Sequence, residues 1–362
     1  MSQQSRFNFE TLVNFSREVF LKLGCNEQNA QQGAAVLSES DLRGIDSHGI
    51  ARLWVYVKWL KNKIAPANPN IRVTRETAST ALVDGDGGLG IMVAPVANQL
   101  CVKKAVESGT AWISVKNSNH FGIAGYYTKI ASEQNLVGWA MSNATSQVAP
   151  ARSKQPMLGT NPFSVSIPNP GKFPILIDMA TSNVSYGKFE IAKREKRPVP
   201  IGWGINDQGE HTTNPFDIGG EKPYAMLPIG SLAEHGVHKG YCLCALTDIL
   251  SAVLGDSAFG PFGPHFMLPE TSPRALFGGG LGHLFGAFQV EAFSELESYK
   301  TRIEAWISAI KSAKPTTPDQ PVLVPGEPEE DAIQDRKTNG IPLNDEVVLS
   351  LEKISESLSV PF

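Results

Sequence analysis

Ala111-Trp112-Ile113-Ser114-Val115-Lys116-Asn117-Ser118-Asn119-His120-Phe121-Gly122-Ile123-Ala124-Gly125-Tyr126-Tyr127 passes from an apolar, β-prone run to a helix-like one through a short polar turn. Residues 111–115 read as a buried strand, and a helix is expected from about Ile123. Between them lie small polar residues, a histidine and a glycine. In α/β proteins ligands gather at the carboxyl ends of strands, where such turns lie. His120 there can accept or donate a proton near neutral pH. The same stretch also fits a histidine that caps the following helix and does nothing more.

Upstream, apolar residues at Phe9, Leu12, Val13, Phe20, Leu21 and Leu23 keep helical spacing, with Asn8 as the starting cap and Gly24 at the end. A second helix is expected from Glu27 to about Leu42, capped by Asn26. A third is expected from Ser47, as N-cap, to about Lys61, which places His48 and Arg52 four residues apart on one face. A guanidinium fork beside an imidazole suits a carboxylate ligand; a solvated helix face explains the pair as well. Gly85-Asp86-Gly87-Gly88-Leu89-Gly90 has the form G-x-G-x-x-G between a strand and a helix. Asp84 and Asp86 would set negative charge against a pyrophosphate, so a tight strand-to-helix turn is the better reading.

Downstream, the strand from Leu136 to Met141 runs into Ser142-Asn143-Ala144, and Phe173–Ile177 runs into Asp178-Met179-Ala180-Thr181-Ser182. A carboxylate at a strand end, such as Asp178, can orient a histidine or simply close a turn. Lys193-Arg194-Glu195-Lys196-Arg197 fits a solvated face, or cations for the 2′-phosphate of NADP. An apolar helix, Cys242 to Leu254, should bury its thiols. Phe259–Gly282 reads as a long loop of the kind that is often functional, and amphipathic helices are expected at Glu295–Ala313 and Glu346–Leu358.

The 362 residues are 41% hydrophobic and 19% charged, with a net charge of −4, so no basic stripe argues for nucleic acid. Four cysteines form no disulfide framework. No signal-peptide core or run of about eighteen apolar residues is present, so a cytoplasmic protein without a membrane span is expected.

The order of the segments carries more than any one of them. Asp46-Ser47-His48-Gly49, Asn117-Ser118-Asn119-His120-Phe121-Gly122, Gly159-Thr160-Asn161-Pro162, Asp178-Met179-Ala180-Thr181-Ser182 and His238-Lys239-Gly240-Tyr241 follow one another. Val324-Pro325-Gly326-Glu327 and Gly340-Ile341-Pro342-Leu343 come after them. Together they resemble the malate/L-lactate dehydrogenase family, which includes ureidoglycolate and sulfolactate dehydrogenases and piperideine-2-carboxylate reductases. The resemblance implies an α/β fold unrelated to the Rossmann dehydrogenases, with a helical N-terminal region (residues 1–75) packed on a mixed-sheet cofactor and catalytic core (76–309) and a C-terminal extension (310–362). It implies a homodimer with the site near the subunit interface, to which Trp54, Tyr56 and Trp59 look suited as exposed aromatics.

By the same resemblance, His120 matches the acid/base of the ureidoglycolate enzymes. His48 and Asp178 match a pair given that role in the imine reductases, and Arg52 matches the arginine that holds the substrate carboxylate beside Ser47 and His48. Ser142, Asn143, Ala144, Thr160, Asp178, Met179, Ala180, Lys239, His283, Pro325, Gly326 and Glu327 match stretches that contact the cofactor. Two departures stand out: Cys242 occupies a position where the family commonly has glycine, and the Phe259–Gly282 loop is long. The implied reaction is hydride transfer between NAD or NADP and a small 2-hydroxy acid/2-oxo acid, malate- or lactate-like, with no metal. Reduction of a cyclic imine is the alternative. A metal-dependent hydrolase or lyase built on His48, His120 and Asp178 would lack any close ligand spacing.

Overall fold

The structure, a computed structural model, describes residues 5–219, 224–266 and 278–362. Its centre is a seven-stranded sheet. The strands are β2 (Arg72–Glu76), β3 (Thr80–Asp84), β4 (Thr110–Ser118), β5 (Leu136–Ser142), β6 (Phe163–Ile167), β7 (Ile175–Met179) and β11 (Leu281–Gln289), in the order β2-β3-β4-β11-β5-β6-β7. Only β3 and β4 pair in parallel, Val83 opposite Val115; every other pair is antiparallel. β1 (Ser5–Phe7) pairs with β12 (Ile341–Leu343), joining the two ends of the chain. β8 (Gly204–Ile205), β9 (His211–Thr212) and β10 (Ala225–Met226) form a small separate sheet.

This order matters because the insertion of β11 between β4 and β5 leaves those two strands running the same way. Ser118, Ser142 and Met179 therefore end β4, β5 and β7 at one edge of the sheet, where Leu281 begins β11. Strand alternation places Ile113 and Val115 in the core, under α4 (Gly90–Ser108) and α5 (Ala124–Ser132).

The N-terminal helices form as their caps dictate. Asn8 accepts the Glu10 amide at the start of α1 (Phe9–Lys22), and Asn26 accepts the Asn29 amide at the start of α2 (Glu27–Leu42). Each such cap contributes about 1 kcal/mol. Leu12, Val19 and Phe20 of α1 are wholly buried, at about 1.5–3 kcal/mol each.

The third helix departs from expectation. Ser47 does not cap it: two 3-10 turns, Asp46–His48 and Ile50–Arg52, precede α3 (Leu53–Lys61). The cause is Asp41 on α2, whose buried carboxylate takes the Ile50 amide at 2.7 Å. A Cβ on Gly49 would lie 1.9 Å from that carboxylate, so the close approach requires glycine there. His48 and Arg52 thus stand on successive tight turns rather than on one helix face.

The Gly85–Gly90 turn serves packing. Asn119 donates its side-chain amide to the Gly87 and Gly88 carbonyls, and a Cβ on Gly90 would meet the Asn119 carbonyl at 2.1 Å. The turn is a seat for the His120 segment.

Ahead of the small sheet in the chain, α6 (Tyr186–Arg194) contributes Tyr186, Gly187 and Glu190 at the end of the main sheet where β7 stops. α7 (Val237–Asp248) continues as a π-helical turn over Ile249–Val253. It buries Cys244 but leaves Cys242 in solvent, correcting the expectation that both thiols are inside. α8 (Leu296–Lys311), α9 (Glu327–Asn339) and α10 (Asp345–Leu358) complete the chain. No helix of the described residues is long and apolar enough to cross a membrane.

Candidate active site

A cavity of about 320 Å³ opens at the sheet edge where β4, β5 and β7 end, within the range usual for small-ligand sites. Ser47, His48, Arg52, His120, Ser142, Asn143, Ala144, Thr160, Asp178, Met179 and Ala180 all line it. Residues predicted from segments more than 130 positions apart are thus brought together.

His120 sits just past β4, its ring stacked on Phe266 with centroids 4.1 Å apart and on His48 at 5.6 Å. Its Nδ1 lies 2.7 Å from the Tyr56 hydroxyl and 3.4 Å from the Gly122 amide nitrogen. The amide can only donate, so Nδ1 accepts and the neutral ring carries its proton on Nε2. Burial first, then the nearness of His48, which would repel a second imidazolium, and of the Arg52 charge hold His120 well below the usual histidine value, so it is neutral at pH 7.

His48 meets the Ser47 hydroxyl through Nδ1 at 2.9 Å. Burial, with Arg52 adding repulsion, pushes its pKa down to about 4. The expected pairing with Asp178, which would have kept His48 charged, is not formed. Instead the Asp178 carboxylate accepts the Gly125 amide at 2.7 Å, at the first turn of α5. A Cβ on Gly125 would come within 2.6 Å of that carboxylate and 3.0 Å of the buried Arg43 guanidinium. Burial raises the Asp178 pKa to about 6 against the lowering effect of the Gly125 hydrogen bond and Arg43. Asp178 therefore pins the start of α5 and faces Arg43 rather than backing an imidazolium.

Arg52 donates Nε to the Ser47 carbonyl at 2.7 Å, which fixes the plane of its guanidinium. Another part of the cavity wall comes from Ser142–Ala144, Thr160 and Met179–Ala180. Asn161 ties that wall together, its Oδ1 accepting from the Ala144 amide at 3.1 Å and its Nδ2 donating to the Cys244 carbonyl at 3.1 Å.

Other residues predicted at the site lie away from the cavity. His283 is wholly buried on β11: Nδ1 meets the Ser142 hydroxyl at 2.9 Å and Nε2 the Ser118 hydroxyl at 2.8 Å. Its pKa falls to about 3 through burial, and the ring acts as a neutral brace behind the Ser142 wall. Lys239 is exposed near the start of α7. Pro325 accepts the Leu176 amide, Gly326 packs against Leu176, and Glu327 pairs with Lys311 while capping Val324. Of the basic cluster, Lys193 donates to the Ile218 carbonyl and Arg194 pairs with Glu346. The Phe259–Gly282 loop contributes His265 and Phe266 to the cavity; its stretch from 267 to 277 lies outside the described residues.

Sequence reasoning missed Tyr56, Phe266 and Glu190. Tyr56 was read as an exposed aromatic, yet it is wholly buried, as is nearly all of Trp59; only Trp54 reaches solvent. Its place one helical turn beyond Arg52 was the available signal.

The family model described as malate/L-lactate dehydrogenase matches residues 7–352. A malate dehydrogenase of Pyrococcus horikoshii is 37% identical over 97% of this chain and 95% of its own. A malate/(S)-sulfolactate dehydrogenase of Methanothermus fervidus is 33% identical over 93% of this chain and 94% of its own. The crystal structure of malate dehydrogenase from Entamoeba histolytica superposes with a TM-score of 0.92 at 30% identity, covering 99% of both chains.

Proposed function

The chain belongs to the malate/L-lactate dehydrogenase family, and from that premise we propose that it moves a hydride between NAD or NADP and a small 2-hydroxy acid/2-oxo acid, with His120 exchanging the proton. The observation that carries this reading is the convergence of His120, His48 and Arg52 on one cavity with the Ser142–Ala144 and Asp178–Ala180 strand ends.

Ser142–Ala144, Thr160 and Met179–Ala180 would hold the nicotinamide, which when bound there supplies or accepts the hydride at the substrate C2. Arg52 grips the substrate carboxylate, its plane set by Ser47. Nε2 of His120 is the nitrogen left for the cavity: protonated, the ring gives the Nε2 proton to the substrate oxygen in reduction. In oxidation Nε2 accepts it once the ring's own proton lies on Nδ1, where the Tyr56 hydroxyl can take its hydrogen bond. Neutral His48 serves as a hydrogen-bonding neighbour rather than as a charge. An anion on Arg52 offsets one of the charges that depress His120, so substrate binding itself brings the imidazole closer to carrying a proton. The four free thiols suit a reducing compartment, and we place the enzyme in the cytoplasm.

Turnover tests the reading. Pyruvate or oxaloacetate should consume NADH or NADPH, with the rate unchanged by EDTA. Loss of activity on chelation, or none with any 2-oxo acid or cyclic imine, would remove it.

We also propose a homodimer. Leu243, Leu246, Ile249, Val253 and Leu254 present an apolar stripe to solvent along α7 and its π-helical turn, and α8 buries none of its residues although Trp306 and Ile310 project from it. Contiguous apolar surface of this kind marks interfaces. Sedimentation at micromolar concentration should give twice the 39.1-kDa chain mass; a lone 39.1-kDa species contradicts it.

A further inference from the structure

We infer that Glu190 reads the far end of the substrate, so that the preferred 2-oxo acid carries a positive charge there rather than a second anionic group. This rests on the reading that Arg52 holds the C1 carboxylate.

A substrate with two acid groups is held best by two cationic anchors. Among the described residues lining the cavity, Arg52 is the only lysine or arginine, whereas two carboxylates, Asp178 and Glu190, are present. Asp178 is engaged by the Gly125 amide beside Arg43. Glu190, half-buried on α6, is different: among the described residues its carboxylate takes no hydrogen bond or ion pair. Lys193, one turn on, gives its ammonium to the Ile218 carbonyl and feels Glu190 only as a nearby charge.

Position gives the carboxylate its meaning. A Cβ on Gly187 would lie 3.8 Å from Glu190 Oε2 and 3.9 Å from Arg52 Nη2, so the two opposite charges both border the space left by this glycine without pairing with each other. A 2-oxo acid that sets its carboxylate on Arg52 can extend its other end over Gly187 toward Glu190. A carboxylate or sulfonate arriving there meets a like charge in a partly desolvated mouth. A guanidinium or ammonium meets an acceptor with no other partner, and such charge-assisted bonds are the strong ones. A side chain at Gly187 would narrow this passage.

The test uses the full chain, NADH and NADPH, and four acids: pyruvate, oxaloacetate, 2-oxoadipate and 2-oxo-5-guanidinopentanoate. The wild type should favour the guanidino acid over 2-oxoadipate in kcat/KM by about tenfold or more. Glu190→Gln should shrink that ratio about tenfold, and Glu190→Lys should invert it, with thermal melts confirming that both variants fold. A wild type that prefers oxaloacetate or 2-oxoadipate, or a ratio that Glu190→Gln leaves unchanged, overturns the inference. If pyruvate is reduced in that event, only the role of Glu190 falls; if none of the four acids is reduced, the proposed reaction falls with it.

Discussion

Replacing His120 with alanine should depress kcat for 2-oxo acid reduction about 10²–10⁴-fold, the usual worth of general acid–base help, while NADH or NADPH still raises the melting temperature. The residues proposed to hold the cofactor come from other segments and do not depend on the imidazole. His48→Ala should act mainly through KM, since His48 is neutral and hydrogen-bonded to Ser47. The pH dependence follows from the depressed pKa. Oxidation of the hydroxy acid needs neutral His120, which in the free enzyme persists below the usual histidine value, so kcat/KM should hold from pH 8 down past 6.5. A half-fall at 6.5 or above contradicts the assignment. A fast His120→Ala with His48→Ala or Asp178→Asn dead in kcat would transfer the proton to the His48–Asp178 pair.

Arg52→Lys should raise KM for the 2-oxo acid by about tenfold or more, because an ammonium is a point charge and does not reproduce the two-pronged grip. It should also lower kcat. The Nε bond to Ser47 that fixes the guanidinium plane is lost, and a carboxylate held loosely no longer aims C2 correctly. Steady-state kinetics with pyruvate separates the two effects. Unchanged KM would mean that the carboxylate binds elsewhere.

Much of the scaffold was legible because its signals are local. Asn8 and Asn26 cap the helices they precede, and the 111–127 stretch is strand, turn and helix in that order. The glycine-rich turn, set aside on the charges of Asp84 and Asp86, packs against Asn119. What the sequence hid was set by distant partners. The Asp41 carboxylate draws in the Ile50 amide and breaks the expected helix at Gly49. Tyr56 finds His120 64 positions away. Asp178, which looked like support for a histidine, takes the Gly125 amide and lies near the Arg43 charge, neighbours that no pattern of spacing announces. His283 and Pro325–Glu327 stand in matching motifs yet lie outside the cavity in the folded chain.

The central claim is direct hydride transfer at the sheet edge where His120 and Arg52 meet the cofactor wall. The measurement that tests it is the fate of the label from NADH or NADPH dideuterated at C4 of the nicotinamide, followed by NMR of the product formed from pyruvate. The account predicts lactate with one deuterium at C2, formed at the rate the coenzyme is oxidised. Unlabelled lactate, or oxidation of the coenzyme without lactate, would contradict it.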